Sequence, residues 1–159
     1  MLKLLWILFR VVFFNVYLHT LCHMECKKLG IKYPKLVIGR TNEPNNLAFT
    51  RGNLVALDVT EQGLFELVSS LRHELRHQWQ MVHYGDILDW TVENPLYGQY
   101  NGFYYFSLIE MDARYYARCK GKFMRGPIHE FSLEQLRQMY ADGSYSAEML
   151  KVSWRYGNP

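Results

Sequence analysis

The order of periodic segments along this 159-residue chain predicts an α+β fold. Three observations carry that reading. A long apolar helix opens the chain, two or three short strands follow it, and helical spacing then resumes. Hydrophobic residues make up 49% of the chain and charged ones 21%, enough to bury the core of one globular domain. Eleven glycines and five prolines are too few for a collagen-like or low-complexity sequence. We therefore read residues 1–159 as a single domain, with an amino-terminal apolar helix over 1–30, a central segment over 31–119 and a helical tail over 120–159.

Residues 3–28 form the first helix, closed by Gly30 as its left-handed cap, with Pro34 just beyond. Its two apolar blocks, 4–9 and 11–18, are separated by Arg10. A membrane span needs about 20 largely apolar residues, and Arg10 with Asn15 would sit inside it at a cost of several kcal/mol. A secretory signal needs an unbroken apolar region and a small-x-small cleavage site, which residues 15–22 lack. The expectation is a buried amphipathic helix in a cytoplasmic protein, with membrane association through residues 3–20 as the alternative. Three cysteines cannot all pair internally, which agrees with a reducing compartment.

Strand chemistry comes next. Lys35–Gly39 is a short apolar strand, residues 42–46 are a turn-rich loop around Pro44, and 47–50 pairs with 54–60 across Arg51-Gly52-Asn53 as a hairpin. From 62 to 84, Leu64, Leu67, Val68, Leu71, Leu75 and Val82 recur at helical spacing on one stripe. Gly85-Asp86 ends this helix, residues 85–102 are an irregular crossing segment, and 104–119 returns to helical spacing. After a small basic loop at 120–125, Ser132 and Gln135 form a capping box that starts a further helix.

The net charge of +3, from 18 basic and 15 acidic residues, is too small and too dispersed for a nucleic-acid-binding face. The informative chemistry lies on the second helix, in His73-Glu74-Leu75-Arg76-His77. Two histidines at i and i+4 project from one helix face, so both imidazoles can reach one metal ion. Glu74 sits between them beside the open coordination position, where it can take a proton from metal-bound water and return it to a leaving amine. Both histidines fall opposite the apolar stripe, a side on which core-filling histidines are not expected. The plain alternative is a solvated helix face shared with Arg72, Arg76 and Gln80.

A catalytic zinc site takes a third protein ligand. His83 has the spacing for it, but the chain carries Gln80 where a sharp backbone turn would need glycine. On a continuous helix His83 lies about 9 Å further along the axis than His77. Glu110 is the stronger candidate. On a helix it shares one face with Ala113, Arg114 and Ala117, and two alanines there permit close approach of a neighbour. The plain alternative is a surface glutamate paired with Arg114. Cys22 and Cys26 bracket His23 at helical spacing but read as small core or surface residues.

These pieces resemble the zincin-like (gluzincin) HExxH metallopeptidases, and among them the ImmA/IrrE family. The resemblance covers roughly residues 35–118, through His73-Glu74-x-x-His77 and the later segment of Glu110, Ala113, Tyr116 and Ala117. It implies a zincin-like fold, one Zn2+ ion held by His73, His77 and Glu110, and Glu74 as general base. It also implies hydrolysis of a peptide bond in a protein or peptide substrate, with ImmA/IrrE relatives typically cutting transcriptional repressors. Many gluzincins carry an aspartate four residues after the ligand glutamate, where this chain has Arg114. Tyr115, Tyr116, Asp112 and His83 are the candidates for transition-state or outer-shell roles, with Tyr104 and Tyr105 as further oxyanion donors. The strand over 54–60 is expected to be an edge to which a substrate strand adds. The competing function is a non-catalytic zincin-like interaction protein.

Overall fold

The computed structural model describes residues 2–40, 47–60, 62–84 and 108–118, together with Ser132, Glu134, Gln135 and Gln138. The elements are α1 (Leu2–Leu29), β1 (Lys35–Gly39), β2 (Ala48–Arg51), β3 (Leu54–Asp58), α2 (Leu64–Tyr84) and α3 (Leu108–Ala117). The fold class is the mixed α+β one that the sequence predicts, with three helices and one three-stranded mixed sheet among the described residues. The chain divides into two compact units, residues 1–79 and 80–159.

In residues 1–79, α1 ends as its sequence dictates. Gly30 adopts φ +68°, its N–H donates to the Lys27 carbonyl at 3.3 Å, and the Ile31 N–H donates to the Cys26 carbonyl at 3.1 Å. This bond pair is a Schellman cap, which an L side chain at Gly30 would strain. Among the described side chains of α1, Leu18, Leu21, Cys22, Glu25 and Cys26 are buried, a stripe at helical spacing. Val12, Phe13, Val16 and Tyr17 are exposed, so among the described side chains of this helix burial holds for one face. Among the described residues no helix is long and apolar enough to cross a membrane.

The sheet has the order β1-β3-β2. β1 runs parallel to β3, from Lys35 opposite Leu54 to Gly39 opposite Asp58, and β2 runs antiparallel to β3, from Ala48 opposite Leu57 to Arg51 opposite Leu54. The hairpin turns through Gly52-Asn53, with Gly52 at φ +54°. β3 stops at Asp58, short of the expected 60, because the Asp58 carboxylate accepts the Thr60 N–H at 2.8 Å and turns the chain. The strand over 54–60 is also not an edge. β3 is central, paired on both sides, and the edges are β1 and β2. The physical reason is readable afterwards in the run Leu54-Val55-Ala56-Leu57, which is continuously apolar rather than alternating and suits burial on both faces.

Gln62 staples the link from sheet to helix. Its Nε2 donates to the carbonyls of Leu47 and Asp58, both at 2.7 Å, and its Oε1 accepts the Ser70 hydroxyl at 2.6 Å. α2 then starts with the Gly63 N–H donating to Glu66 Oε2 at 2.8 Å, the reach-back half of a capping box. Leu67, Leu71 and Leu75 are fully buried in one cluster with Leu18, Leu21, Cys22, Leu36, Val55 and Leu57. Burying each leucine contributes roughly 1.5–3 kcal/mol. Arg72 pairs with the buried Glu25 at 2.8 Å, joining α2 to α1. Val82, expected on the same stripe, is exposed, because it lies beyond the residues whose core the stripe fills.

In residues 80–159, α3 occupies the middle of the expected 104–119 span. Arg118 closes it at φ +51°, donating its N–H to the Tyr115 carbonyl at 3.0 Å. The capping box in the tail is present with both bonds. The Ser132 N–H donates to Gln135 Oε1 at 2.9 Å, and the Gln135 N–H donates to Ser132 Oγ at 3.1 Å. The expected loop at 42–46, the crossing segment at 85–102 and the basic loop at 120–125 lie outside the described residues.

Candidate metal centre

The i, i+4 spacing on α2 does what the sequence requires of it. His73 Nε2 and His77 Nε2 stand 3.0 Å apart, with ring planes nearly perpendicular at 85°. Two nitrogens each about 2.1 Å from a tetrahedral ion lie roughly 3.4 Å from one another, so the pair is close to ligating separation. Glu110 completes the set. Among the described residues, His73, His77 and Glu110 form a group that could hold a metal ion, each offering one ligand atom, all within 4.8 Å of one another. His77 and Glu110 are buried and His73 is half-buried.

The face of α3 that carries Glu110 is packed, with Glu110, Ala113, Arg114 and Ala117 all buried. Arg114 Nη1 lies 3.7 Å from Glu110 Oε2, so the i, i+4 ion pair of the plain alternative exists. It is not a surface pair. A carboxylate has two oxygens and about four acceptor directions, so pairing with Arg114 leaves room for a metal ion.

The solvated-face reading of α2 gives way. Glu74, His77, Gln78 and Gln80 are buried, Arg72 is ion-paired, and the Arg76 guanidinium stacks 3.8 Å above the Trp79 ring. The histidines therefore do not face away from packed structure, as the position of the apolar stripe suggests. Hydropathy periodicity marks only apolar contact, whereas this face is covered through polar bonds. On the leucine side, seven residues after Leu71, Gln78 donates to Thr50 Oγ1 and to the Gly52 carbonyl of the hairpin, the latter at 2.6 Å, and the histidine face itself continues to Gln80. Gln80 donates to the Ile109 carbonyl at 3.1 Å and to Asp112 Oδ2 at 2.9 Å.

Of the remaining candidates, His83 stays on α2, which runs unbroken to Tyr84, and is not in the converging group. Asp112 is fully buried and accepts from Gln80, Tyr115 is exposed, and Tyr116 is half-buried. Tyr104 and Tyr105 lie outside the described residues. Cys22 and Cys26 have sulfurs 3.9 Å apart in the core, form no disulfide, and belong to no group of three ligands among the described residues. Sequence reasoning missed Gln80, although an uncharged donor one turn beyond His77 on the histidine face was its available signal. Compared with known proteins, the chain matches no family model, no curated protein and no solved structure.

Proposed function

We propose that the protein is a zinc-dependent metallopeptidase with a zincin-like fold, similar to the ImmA/IrrE family, that hydrolyses peptide bonds in a protein or peptide substrate. The observation that carries this reading is the convergence of His73, His77 and Glu110 within 4.8 Å. Two imidazoles and one carboxylate are the donor set of a catalytic zinc site that keeps a fourth position open. A zinc ion held there by His73, His77 and Glu110 would supply a water that is acidic near neutral pH and would polarise the scissile carbonyl.

The chain's own residues carry the proton chemistry. Glu74, buried and one residue on from His73, takes the proton of the attacking water and delivers it to the departing amine. Arg114 holds Glu110 from the next turn of α3. An extended substrate would add to a sheet edge, and β2 is the edge tied to α2 by Gln78, the residue after His77. The buried thiols of Cys22 and Cys26 suit a reducing, cytoplasmic setting.

Elemental analysis of the purified full chain tests the reading, with about one equivalent of zinc expected. Cleavage of an unfolded protein substrate should stop on chelation. Glu74→Gln should lower the rate about 10²–10⁴-fold with zinc content unchanged. Zinc without turnover would mark a non-catalytic scaffold, and absence of zinc would remove the reading altogether.

A further inference from the structure

Positions 73, 77 and 80 are spaced four and three residues apart, so the face of α2 that carries both imidazoles continues to Gln80. Gln80 is buried, and its Nε2 group donates twice. One acceptor is the Ile109 carbonyl at 3.1 Å and the other is Asp112 Oδ2 at 2.9 Å, both on buried residues of α3. A carboxamide nitrogen carries two hydrogens, and both are directed at this one helix.

The two acceptors bracket Glu110. Along a helix axis Glu110 lies about 1.5 Å from Ile109 and about 3 Å from Asp112. A main-chain carbonyl fixes how far α3 has advanced, and a side-chain oxygen three residues on fixes its rotation. One amide thus sets two degrees of freedom of the turn that bears the carboxylate.

We propose that Gln80 is a positioning residue for Glu110, setting the register and rotation of α3 so that this carboxylate is presented to His73 and His77. The inference rests on the metal-site reading of those three residues. It goes beyond packing, because leucine would fill nearly the same volume without supplying either hydrogen.

Zinc affinity of the full chain, measured by chelator competition, and the visible spectrum of its cobalt(II) form test the proposal. Glu110→Ala defines the signature of a lost third ligand. Gln80→Leu should weaken zinc about 10- to 100-fold, the range seen when a partner of a ligand is removed, and should move the cobalt spectrum toward that of Glu110→Ala. The double variant Gln80→Leu/Glu110→Ala should bind no more weakly than Glu110→Ala alone, because the amide then has no ligand left to orient. Asp112→Asn, which keeps an oxygen acceptor, should lose less than Gln80→Leu.

A wild-type cobalt spectrum and affinity in Gln80→Leu would overturn the proposal, as would losses that simply add in the double variant. Should circular dichroism show that Gln80→Leu does not fold, Asp112→Ala carries the same cycle, and an unchanged spectrum there is equally fatal. Failure of the wild-type chain to bind zinc would overturn the metal site itself along with the inference. Binding by wild type with an indifferent Gln80→Leu would overturn the inference alone.

Discussion

Of the metal-capable side chains set four residues apart on α1 and α2, the pairs Cys22 with Cys26 and His73 with His77 invite comparison, and of these two only the histidines belong to a candidate site. Cys22 and Cys26 lie on the buried stripe of α1, among Leu18, Leu36, Val55 and Leu71. His73 and His77 lie on α2, on the side where Gln80 is buried against polar partners. The sulfurs are 3.9 Å apart and the imidazole nitrogens 3.0 Å, so pair separation does not distinguish them. The third group does. Glu110 converges on the histidines, and no third ligand among the described residues converges on the thiols. The hydrogen bond between the two thiols, with burial, pushes Cys22 above its ordinary range, and the same bond lowers Cys26. Spacing supplies a pair, and the fold decides whether it becomes a site.

The sharpest way to break this comparison is to remove each pair in turn. His77→Ala should abolish stoichiometric zinc binding, while Cys22→Ala/Cys26→Ala should keep one equivalent. Zinc lost from the cysteine variant would move the site to α1. A smaller effect separates the pairs by stability. Cys22→Ser places a hydroxyl at a fully buried position among hydrocarbon and should cost about 1–3 kcal/mol in urea unfolding, with zinc content unchanged.

The smallest expected effect is on pH dependence near the thiols. Burial, with the nearby Cys22 next in weight, pushes the Tyr33 phenol up to about 12 from its ordinary 10. An acid whose pKa is higher in the folded state holds its proton more tightly there. Stability from Tyr33 is therefore present below about pH 10 and is lost as pH rises toward 12. Tyr33 remains exposed enough for water to screen much of this. The thermal midpoint of wild type should fall slightly more between pH 9 and 11 than that of Tyr33→Phe. Equal slopes would remove Tyr33 from the account.

Local chemistry was legible in the sequence wherever one or two residues decide it. Gly30 ends α1, Gly52 turns the hairpin, and Ser132 with Gln135 forms the reciprocal capping box, because each choice is settled within a few residues. The i, i+4 imidazoles and the alanine-bearing face of Glu110 were readable for the same reason. Strand order was not, since β3 takes the centre through pairing with a strand 19 positions earlier, Lys35 against Leu54. Nor was the burial around His77. A polar face looks the same to periodicity whether it meets water or protein acceptors, and here Gln80 meets a carbonyl and a carboxylate.

The central place of β3 also bears on how the chain assembles. Its partnership with β2 closes over Gly52-Asn53 alone, whereas its partnership with β1 must draw together positions 19 residues apart. Loop-closure entropy favours the shorter contact, which predicts that the hairpin forms early and that β1 docks onto a ribbon already in register. Substitutions in the turn should then slow refolding, and substitutions in β1 should chiefly hasten unfolding.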